Sequence, residues 1–396
     1  MSYMIFTGMK VILKDRVASD IMVEVSDGII QDFLPAGSTV SPEARLIRLH
    51  GGYLAPGFVD LHVHGGAGAD FMDGTPEAFT TICRAHARHG TTTLLPTTTV
   101  ARHEQILAVL RLCREFRNRD TTGARIAGAH LYGPYFGPEA AGCHPTEPLR
   151  PPTPDEFKQY LAFADVIRMA TVAPELPGAR EFVEACRKAG IRCNAGHSHA
   201  TFEEMEAAIS WGVRHVDHLF CAMSDRARLR QSQTYPMRGG VMEATLYFDE
   251  LTTEVIADGK HLQRELLLLA YKIKGPERLA LVTDCNRALD MPDGDYLFGP
   301  QDGGQPIRKS DGVGLMPDGQ ALASGVSGMD HCVRTFQALT KVPLEEAVRM
   351  ASLTPARIAG LDREIGSIES GKRADLLVLG PGLVVQQVYI AGQRVI

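Results

Sequence analysis

Four histidines and one aspartate have the types and the spacing of a metal site. His62 and His64 are separated by one residue, and His197, His218 and Asp284 each end or follow a short apolar segment farther along. Side chains alternate between the faces of a β-strand, so His62 and His64 would share a face and could bind one ion. Imidazole and carboxylate ligands suit Zn²⁺ best, with Fe²⁺, Mn²⁺ and Co²⁺ as alternatives. The pattern therefore predicts a site for a divalent metal.

The segments that carry these residues are predicted to be strands of an α/β protein. Strand-like runs alternate with helical patterns through the middle of the chain, which is typical of a parallel sheet. Eight runs suit a closed (β/α)8 TIM barrel, whose active sites lie at the carboxyl ends of the strands. A doubly wound open sheet is the alternative, but it explains the number of runs less well. The predicted strands are 57–64, 92–96, 125–132, 167–173, 191–195, 215–220, 253–257 and 279–283.

Helices are predicted between several of these strands. Thr201 and Glu204 have the spacing of a capping box, and Phe202, Met205 and Ile209 then share one helical face. Segments 179–189 and 344–350 have helical patterns as well.

Both ends of the chain differ from the middle. Segments 3–13, 21–25 and 29–33 are strand-like, as are 374–379, 384–390 and 394–396, and Ser26-Asp27-Gly28 is a hairpin signal. We therefore predict one small β unit formed by residues 1–55 together with 368–396, and a barrel over residues 56–367.

Composition excludes several classes of protein. The 396 residues carry a net charge of −6 without a block of Lys or Arg, which argues against nucleic acid or a membrane surface as partner. No apolar run approaches the roughly 20 residues needed to cross a bilayer, and no secretory signal is evident. The eight cysteines lack a C-x-x-C pair, which favours reduced thiols and a cytoplasmic location.

Motifs along nearly the whole chain resemble a known family. The first histidine pair lies in a segment similar to the opening metal motif of the amidohydrolase superfamily. The remaining motifs resemble those of N-acetylglucosamine-6-phosphate deacetylases, which pair a barrel with a small β-sandwich made from both termini. The similar segments are 56–65, 130–134, 142–144, 196–201, 217–223, 256–261, 281–284, 366–368 and 371–375.

The resemblance implies roles for the metal-site residues. Asp284 would bind metal, take a proton from the attacking water and later deliver it to the leaving amine. The other implied metal ligands, or their neighbours, are His62, His64, His197 and His218. A divalent cofactor, a homodimer and a small N-acetyl amino sugar as substrate follow from the same resemblance.

Four further residues have implied roles in substrate binding and catalysis. His144 would polarise the acetyl carbonyl. His261 would hold the sugar or its phosphate together with the backbone around Cys221 and Ala222. The implied activity is removal of the acetyl group from an N-acetyl amino sugar. The alternatives are an amidohydrolase of other specificity, for N-acyl-amino acids or cyclic amides, and a relative that binds sugar or metal without turnover.

This sequence departs from the family pattern at the metal bridge. Tyr132 stands where the family has a glutamate ligand, and a neutral phenol is a poor bridge between two cations that repel each other. We therefore expect one metal ion in preference to two.

The phosphate-binding pattern differs too. Cys221 replaces an asparagine, and no arginine aligns clearly with the loop that contacts phosphate. The sequence therefore favours a substrate other than the family's usual 6-phosphate. The candidate arginines of segment 224–240 are Arg226, Arg228, Arg230 and Arg238.

The remaining polar residues are expected to have structural roles. Glu175 is predicted to be a hydrogen-bonding partner beside the site and not a metal ligand. Buried cysteine usually behaves as a small hydrophobe, so we expect no metal ligation by Cys143, Cys221 and Cys285. Ordinary surface positions are predicted for His86, His89 and His103.

Overall fold

The middle of the chain forms a ring of parallel strands in the computed structural model, which describes residues 3–48, 51–117, 119–231, 235–319 and 321–396. The ring consists of Phe58–Val63, Thr91–Pro96, Arg125–Ile126 continued by Ala129–Leu131, Ile167–Val172, Arg192–Ala195, Val213–Val216, Thr252–Ile256 and Leu279–Val282. Parallel ladders join neighbours in the ring, and isolated parallel bridges complete it between Thr97 and His130 and between Val63 and Cys285. The predicted (β/α)8 barrel is confirmed.

Two of the predicted strands are longer than the observed ones. Segment 125–132 is interrupted between Ile126 and Ala129, where Gly128 has φ +157°. Glycine is required at 128 because a Cβ there would lie 2.6 Å from the Val166 carbonyl oxygen. The sixth strand ends at Val216 and not at Phe220, since His218 already has positive φ. The turns after the strands therefore begin earlier than the apolar pattern suggests.

Helices surround the barrel and cover its strands. Thr201 caps one of them, accepting a hydrogen bond from the Glu204 amide at 3.3 Å while Glu204 accepts from the Thr201 amide at 2.8 Å, so the predicted capping box is confirmed. That helix buries Met205 and Ala208. The helices are Pro76–Arg88, His103–Phe116, Pro154–Leu161, Ala179–Lys188, Phe202–Trp211, Arg226–Leu229, Val241–Tyr247, Arg264–Arg278, Met329–Thr340, Leu344–Met350 and Leu353–Ile358.

The two ends of the chain build two packed sheets. One has the strand order Ile29–Pro35, Ile21–Ser26, Tyr3–Thr7, Arg45–Arg48. The other has the order Gln393–Arg394, Val385–Ile390, Leu376–Leu379, Tyr53–Pro56, Lys10–Ile12, Val17–Ala18. Phe6 and Val23 of the first sheet share a buried cluster with Leu54, Leu376 and Tyr389 of the second, so the unit is a β-sandwich.

The predicted strand 3–13 is wrong as a single element. Gly8, with φ +81°, ends Tyr3–Thr7, and Lys10–Ile12 then joins the other sheet. The strand Tyr53–Pro56 pairs with Leu376–Leu379 and leads into the barrel after Gly57. The exact domain boundaries at 55/56 and 367/368 stay a prediction.

A third, antiparallel sheet follows the eighth barrel strand and was not expected from the sequence. It consists of Gly294–Phe298, Gln305–Ser310 and Val313–Leu315, and Phe298 from this sheet is buried beside the candidate site. Within the described ranges, no helix has the length and apolar character needed to cross a membrane.

Candidate active site at the carboxyl ends of the strands

Three ligand-type side chains meet where the first and eighth strands end. His62 Nε2 lies 3.6 Å and His64 Nε2 lies 3.3 Å from Asp284 Oδ1. The ligand-type atoms of the three residues all lie within 4.8 Å of one another, and all three side chains are buried. The parallel bridge between Val63 and Cys285 brings these strand ends together. Such a set of nitrogen and carboxylate donors can bind one divalent cation.

Glu254 orients the first of these histidines. The His62 Nδ1–H donates to Glu254 Oε1 at 2.7 Å, and His215 Nε2 lies 3.2 Å from Glu254 Oε2. The bond fixes the orientation of the His62 ring and leaves Nε2 facing Asp284 Oδ1 at 3.6 Å. Metal-binding histidines commonly have such a carboxylate on the other ring nitrogen. Glu254 lies on the seventh strand, is fully buried, and was missed by the sequence analysis.

Several buried nitrogen atoms of the candidate metal site have no hydrogen-bond partner among the described residues, which bears on whether the site fits a metal. His62 Nε2 is buried and makes no hydrogen bond in the part of the chain that the structure describes. Leaving such a group unsatisfied costs about 1–3 kcal/mol, so a ligand at this atom is expected. His64 Nδ1 and His218 Nδ1 are likewise buried without a hydrogen-bond partner among the described residues. The donor set fits a divalent metal.

The charges at the site also favour a cation. Burial would lower the pKa of His62, but the charge of Asp284 and the hydrogen bond to Glu254 raise it to about 9. Burial would raise the pKa of Asp284, but the charge of His62 and the bond to His64 hold it well below its usual range. The carboxylates of Asp284 and Glu254 therefore remain ionised on either side of His62, and a bound cation can take the place of the His62 proton.

His197 and His218 approach the same place from the fifth and sixth strands. His197 Nδ1–H donates to the Ala140 carbonyl at 2.7 Å, which leaves its Nε2 as a free acceptor. Tyr132 Oη lies 2.5 Å from His218 Nε2, and the ring of Tyr132 lies 4.4 Å from that of His62. Burial keeps the pKa of His197 well below its ordinary value, so that its imidazole is neutral as a metal ligand must be.

Backbone strain is concentrated at these residues. His197, His218 and Asp284 have φ of +45°, +24° and +47°, a region that non-glycine residues seldom adopt and that costs of order 1–3 kcal/mol each. Asp284 is held there because its amide donates to the His62 carbonyl at 3.0 Å and Ser324 Oγ donates to its Oδ1 at 3.0 Å. The strain directs the three side chains into one space.

That space is a cavity of about 450 Å³. Its size is within the range of pockets for small molecules. His144 Nδ1 accepts the Val100 amide at 3.3 Å, and the pKa of His144 is held well below its usual value by burial, so a neutral ring must carry its proton on Nε2. His261 Nδ1 lies 2.8 Å from Asp258 Oδ2. The cavity lining includes His64, Tyr132, Cys143, His144, His197, His218, Cys221, Ala222, Arg228, His261, Asp284, Phe298 and Ser324.

The structure brings the site residues predicted from the sequence together. Every one of them lines the cavity except His62, which is buried behind it. Of the four candidate arginines, only Arg228 lines the cavity, and residues 232–234 of their segment lie outside the described residues. Glu175 accepts Ser198 Oγ at 2.7 Å and the His199 amide at 2.6 Å, which agrees with its predicted hydrogen-bonding role.

The prediction for His86 is wrong. It is fully buried, and its Nε2 lies 2.9 Å from the Gly65 carbonyl oxygen, so it supports the turn that follows His64. His89 is also only partly exposed, lying between Asp290 at 2.8 Å and Asp330 at 3.0 Å. His103 lies 2.9 Å from Tyr160 Oη. Helical periodicity shows which face each histidine lies on but not what covers that face.

The buried cysteines carry high pKa values. Burial raises the pKa of Cys221 to about 12 and those of Cys143 and Cys285 further, so all three are thiols at neutral pH. Cys285 Sγ donates to the Ser327 carbonyl at 2.9 Å. Among the described residues, none of the three belongs to the groups of ligand-type side chains at the site, and the absence of metal ligation by these cysteines stays a prediction.

The closed barrel and the candidate metal site at the carboxyl ends of its strands indicate the class of this protein. The family model of the amidohydrolase family matches residues 53–395. The chain belongs to the amidohydrolase family.

Within that family its similarities are specific. It is 34% identical over 376 residues to the N-acetylgalactosamine-6-phosphate deacetylase of Escherichia coli O157:H7, covering 94% of each chain. It is 31% identical to the N-acetylglucosamine-6-phosphate deacetylase of Vibrio furnissii over 86% of this chain and 82% of that protein. The structure of N-acetylglucosamine-6-phosphate deacetylase from Pasteurella multocida matches with a TM-score of 0.91 at 28% identity, covering 99% of both chains.

Proposed function

We propose that this amidohydrolase removes the acetyl group from an N-acetyl hexosamine 6-phosphate with the help of one divalent cation. The observation that carries the proposal is the unpartnered, buried Nε2 of His62 beside His64 and Asp284, next to a cavity of about 450 Å³. The deacetylases named above act on 6-phosphates. Arg228 on the cavity wall supplies a positive charge for a phosphate group. We therefore set aside the sequence-based expectation that the substrate is not a 6-phosphate.

The proposed cation site uses His62, His64, His197 and Asp284. A bound divalent metal supplies Lewis acidity, which lowers the pKa of water and polarises a carbonyl. His62 is oriented by Glu254, His197 by the Ala140 carbonyl, and Asp284 by Ser324. These hydrogen bonds hold the proposed ligand atoms in position independently of the metal.

Two side chains of the cavity are proposed to carry out the proton transfers and to polarise the amide. Asp284 accepts a proton from the attacking water as its oxygen bonds to the acetyl carbon, and returns the proton to nitrogen as the C–N bond breaks. His144 donates from Nε2 to the acetyl carbonyl oxygen, because its Nδ1 is occupied by the Val100 amide. The products are acetate and the free amino sugar phosphate.

The function is tested by measuring acetate release from N-acetylglucosamine and N-acetylgalactosamine and their 6-phosphates, with metal content determined on the same sample. We expect one of the 6-phosphates to be the best substrate, with kcat/KM on the order of 10⁴ M⁻¹s⁻¹ or higher. Prolonged chelation should abolish the release, and added Zn²⁺ should restore it. Full activity of demonstrably metal-free protein, or no acetate from any of the four sugars, would contradict the proposal.

Arg228 is proposed to bind the phosphate. Charge-assisted hydrogen bonds contribute about 1.5–3 kcal/mol, so Arg228→Ala should raise KM for the 6-phosphate by roughly 10–100-fold with little change in kcat. KM for the unphosphorylated sugar should stay unchanged. Arg226→Ala is a matched control, because Arg226 lies on the same helix and does not line the cavity. Equal changes for both sugars would place the phosphate elsewhere.

We further propose that Tyr132 limits the site to one ion. Its hydroxyl lies 2.5 Å from His218 Nε2, so the nitrogen that a second cation would need is already engaged. Burial raises the pKa of Tyr132 well above its usual value, which keeps the phenol neutral and unable to bridge two cations.

Replacing Tyr132 by a carboxylate should therefore change the metal content. Tyr132→Glu should raise it from about one to about two equivalents per chain, because a carboxylate can bridge ions about 3.5–4 Å apart. Tyr132→Phe, which removes the hydroxyl without adding charge, should remain near one equivalent. Elemental analysis that finds two equivalents in the unchanged protein would refute the one-ion proposal.

Zinc, a homodimer and a cytoplasmic location are finer proposals. Neutral imidazoles and a carboxylate favour Zn²⁺. Tyr235 and Met237, on the segment that carries Arg228, are 83% and 55% exposed, and Tyr247 on the following helix is 72% exposed. An exposed apolar group of this kind suits an interface with a second copy. Light scattering of the purified protein should give a mass of two chains.

A further inference from the structure

Four arginines gather at the opposite end of the barrel from the candidate active site. Arg168, Arg192 and Arg214 lie at the amino ends of the fourth, fifth and sixth strands, and Arg187 lies in the last turn of the helix Ala179–Lys188. Because Met169 pairs with Arg192 and Cys193 pairs with Val213, the first three stand on successive strands about 4.8 Å apart. All four line one cavity of about 390 Å³.

None of the described residues that line the cavity, which we call the arginine cavity, has a carboxylate to balance these charges. Among the described residues that line it, the others are Gly190, Ile191, Gly212, Ile358, Ala359 and Gly360. Within the described ranges, none of the four arginines makes an ion pair, although the chain as a whole carries a net charge of −6. Burial and the charge of Arg214 lower the pKa of Arg192, so the guanidinium groups repel one another in a partly desolvated space.

Within the part of the chain that the structure describes, the hydrogen bonds of the four arginines use only a few of their donors. Arg214 Nη1 donates to the Ile209 and Val213 carbonyls at 2.7 Å, and Arg168 Nε donates to the Ala127 carbonyl at 3.2 Å. A helix end explains the first of these bonds, since cations stabilise the last carbonyls of a helix. Each guanidinium has five N–H donors, however, so these bonds account for only a part of the group.

We propose that the arginine cavity binds a polyphosphate chain, either inorganic or that of a nucleotide. Guanidinium groups bind phosphate oxygens through paired hydrogen bonds, and several phosphates in a row match arginines on successive strands. An anion of this kind neutralises the repulsion between Arg192 and Arg214. The site is independent of the proposed deacetylase activity, because it lies at the amino ends of the strands and the ligands of the candidate active site lie at the carboxyl ends.

The test is calorimetric titration of the full-length, metal-loaded protein with tripolyphosphate, with ATP and with adenosine at about 0.15 M NaCl, where surface attraction is largely screened. We expect tripolyphosphate or ATP, or both, to bind, and adenosine not to bind. The first two arms distinguish an inorganic polyphosphate from a nucleotide. Sulfate at matched ionic strength controls for general charge effects, and metal content is measured before and after each titration.

A double variant locates the binding. Arg187 and Arg214 are exposed, so Arg187→Ala/Arg214→Ala should fold, and it should weaken tripolyphosphate or ATP binding at least about 100-fold, or tenfold for each arginine. Arg111→Ala is the matched control, since Arg111 is an exposed helical arginine outside the cavity. Arg228→Ala reports on binding at the candidate active site. Acetate release should be unchanged in the double variant, and thermal unfolding should show a folded protein with a slightly lower midpoint, because the bonds of Arg214 to the Ile209 and Val213 carbonyls are lost.

Three results would overturn the proposal. They are the absence of binding by both tripolyphosphate and ATP, binding that persists in the double variant, and binding that is lost in Arg228→Ala. If the protein releases no acetate, these binding measurements are unaffected. Each of the two proposals can therefore be refuted without the other.

Discussion

Asp284→Asn should lower kcat for acetate release by at least roughly 10²–10⁴-fold, the usual contribution of a general acid–base. The amide keeps the size of the side chain and can still accept a hydrogen bond from Ser324 Oγ, which lies 3.0 Å from Oδ1. It cannot accept a proton from water and return it to the leaving nitrogen. The variant also loses the negative charge beside His62 and His64, so metal content is measured on the same sample.

Ser324→Ala is the control for Asp284→Asn. It removes one hydrogen bond to the carboxylate but leaves the carboxylate in place, so a smaller loss of kcat is expected. Circular dichroism and thermal unfolding establish that both variants are folded. A folded, metal-loaded Asp284→Asn protein with a near-native kcat would show that another group transfers the proton.

Glu254→Gln should weaken metal binding by roughly 10–100-fold, the usual effect of changing a group that orients a metal ligand. Glu254 is fully buried and holds His62 Nδ1 at 2.7 Å, and its pKa is kept well below the ordinary range, against the effect of burial, by its bonds to His215 and His62. Glutamine nearly preserves the shape but removes the charge that favours a cation one imidazole away. Competition with a chelator of known affinity measures the change independently of activity.

Asp217→Asn is a matched control in the same part of the barrel interior. Asp217 is also fully buried and its carboxylate lies within 4.8 Å of ligand-type atoms of His62 and Glu254, but it hydrogen-bonds to Thr171 at 2.7 Å and Asn194 at 2.8 Å and not to His62. Burial, with the charge of Glu254 adding to it, raises the pKa of Asp217 to about 8, whereas the pKa of Glu254 lies well below its ordinary range, so a neutral amide changes the charge less at Asp217 than at Glu254. Because Asp217 does not orient His62 through a hydrogen bond, metal affinity should fall less in this variant than in Glu254→Gln. Equal losses in the two variants would mean that Glu254 has no special role in orienting His62.

The sequence by itself determined the barrel and the location of its site. Period-two alternation places His62 and His64 on one face of a strand, and strand–helix alternation makes the strands parallel. Parallel strands have their carboxyl ends at one end of the barrel, so residues at the ends of different strands had to meet there. This is why His197, His218 and Asp284 could be assigned to one site without knowledge of their distances.

Only the tertiary structure decided which groups meet across the barrel. Glu254 contacts His62 from 192 residues away, and the hydroxyl of Tyr132 contacts His218 from 86 residues away. Local periodicity specifies the face and the end of a strand, but it does not specify how far neighbouring strands are staggered or which inward side chains lie at the same height. The stagger of the strands fixes those heights. For that reason the candidate ligand residues could be proposed from the sequence, and the groups that orient them could not.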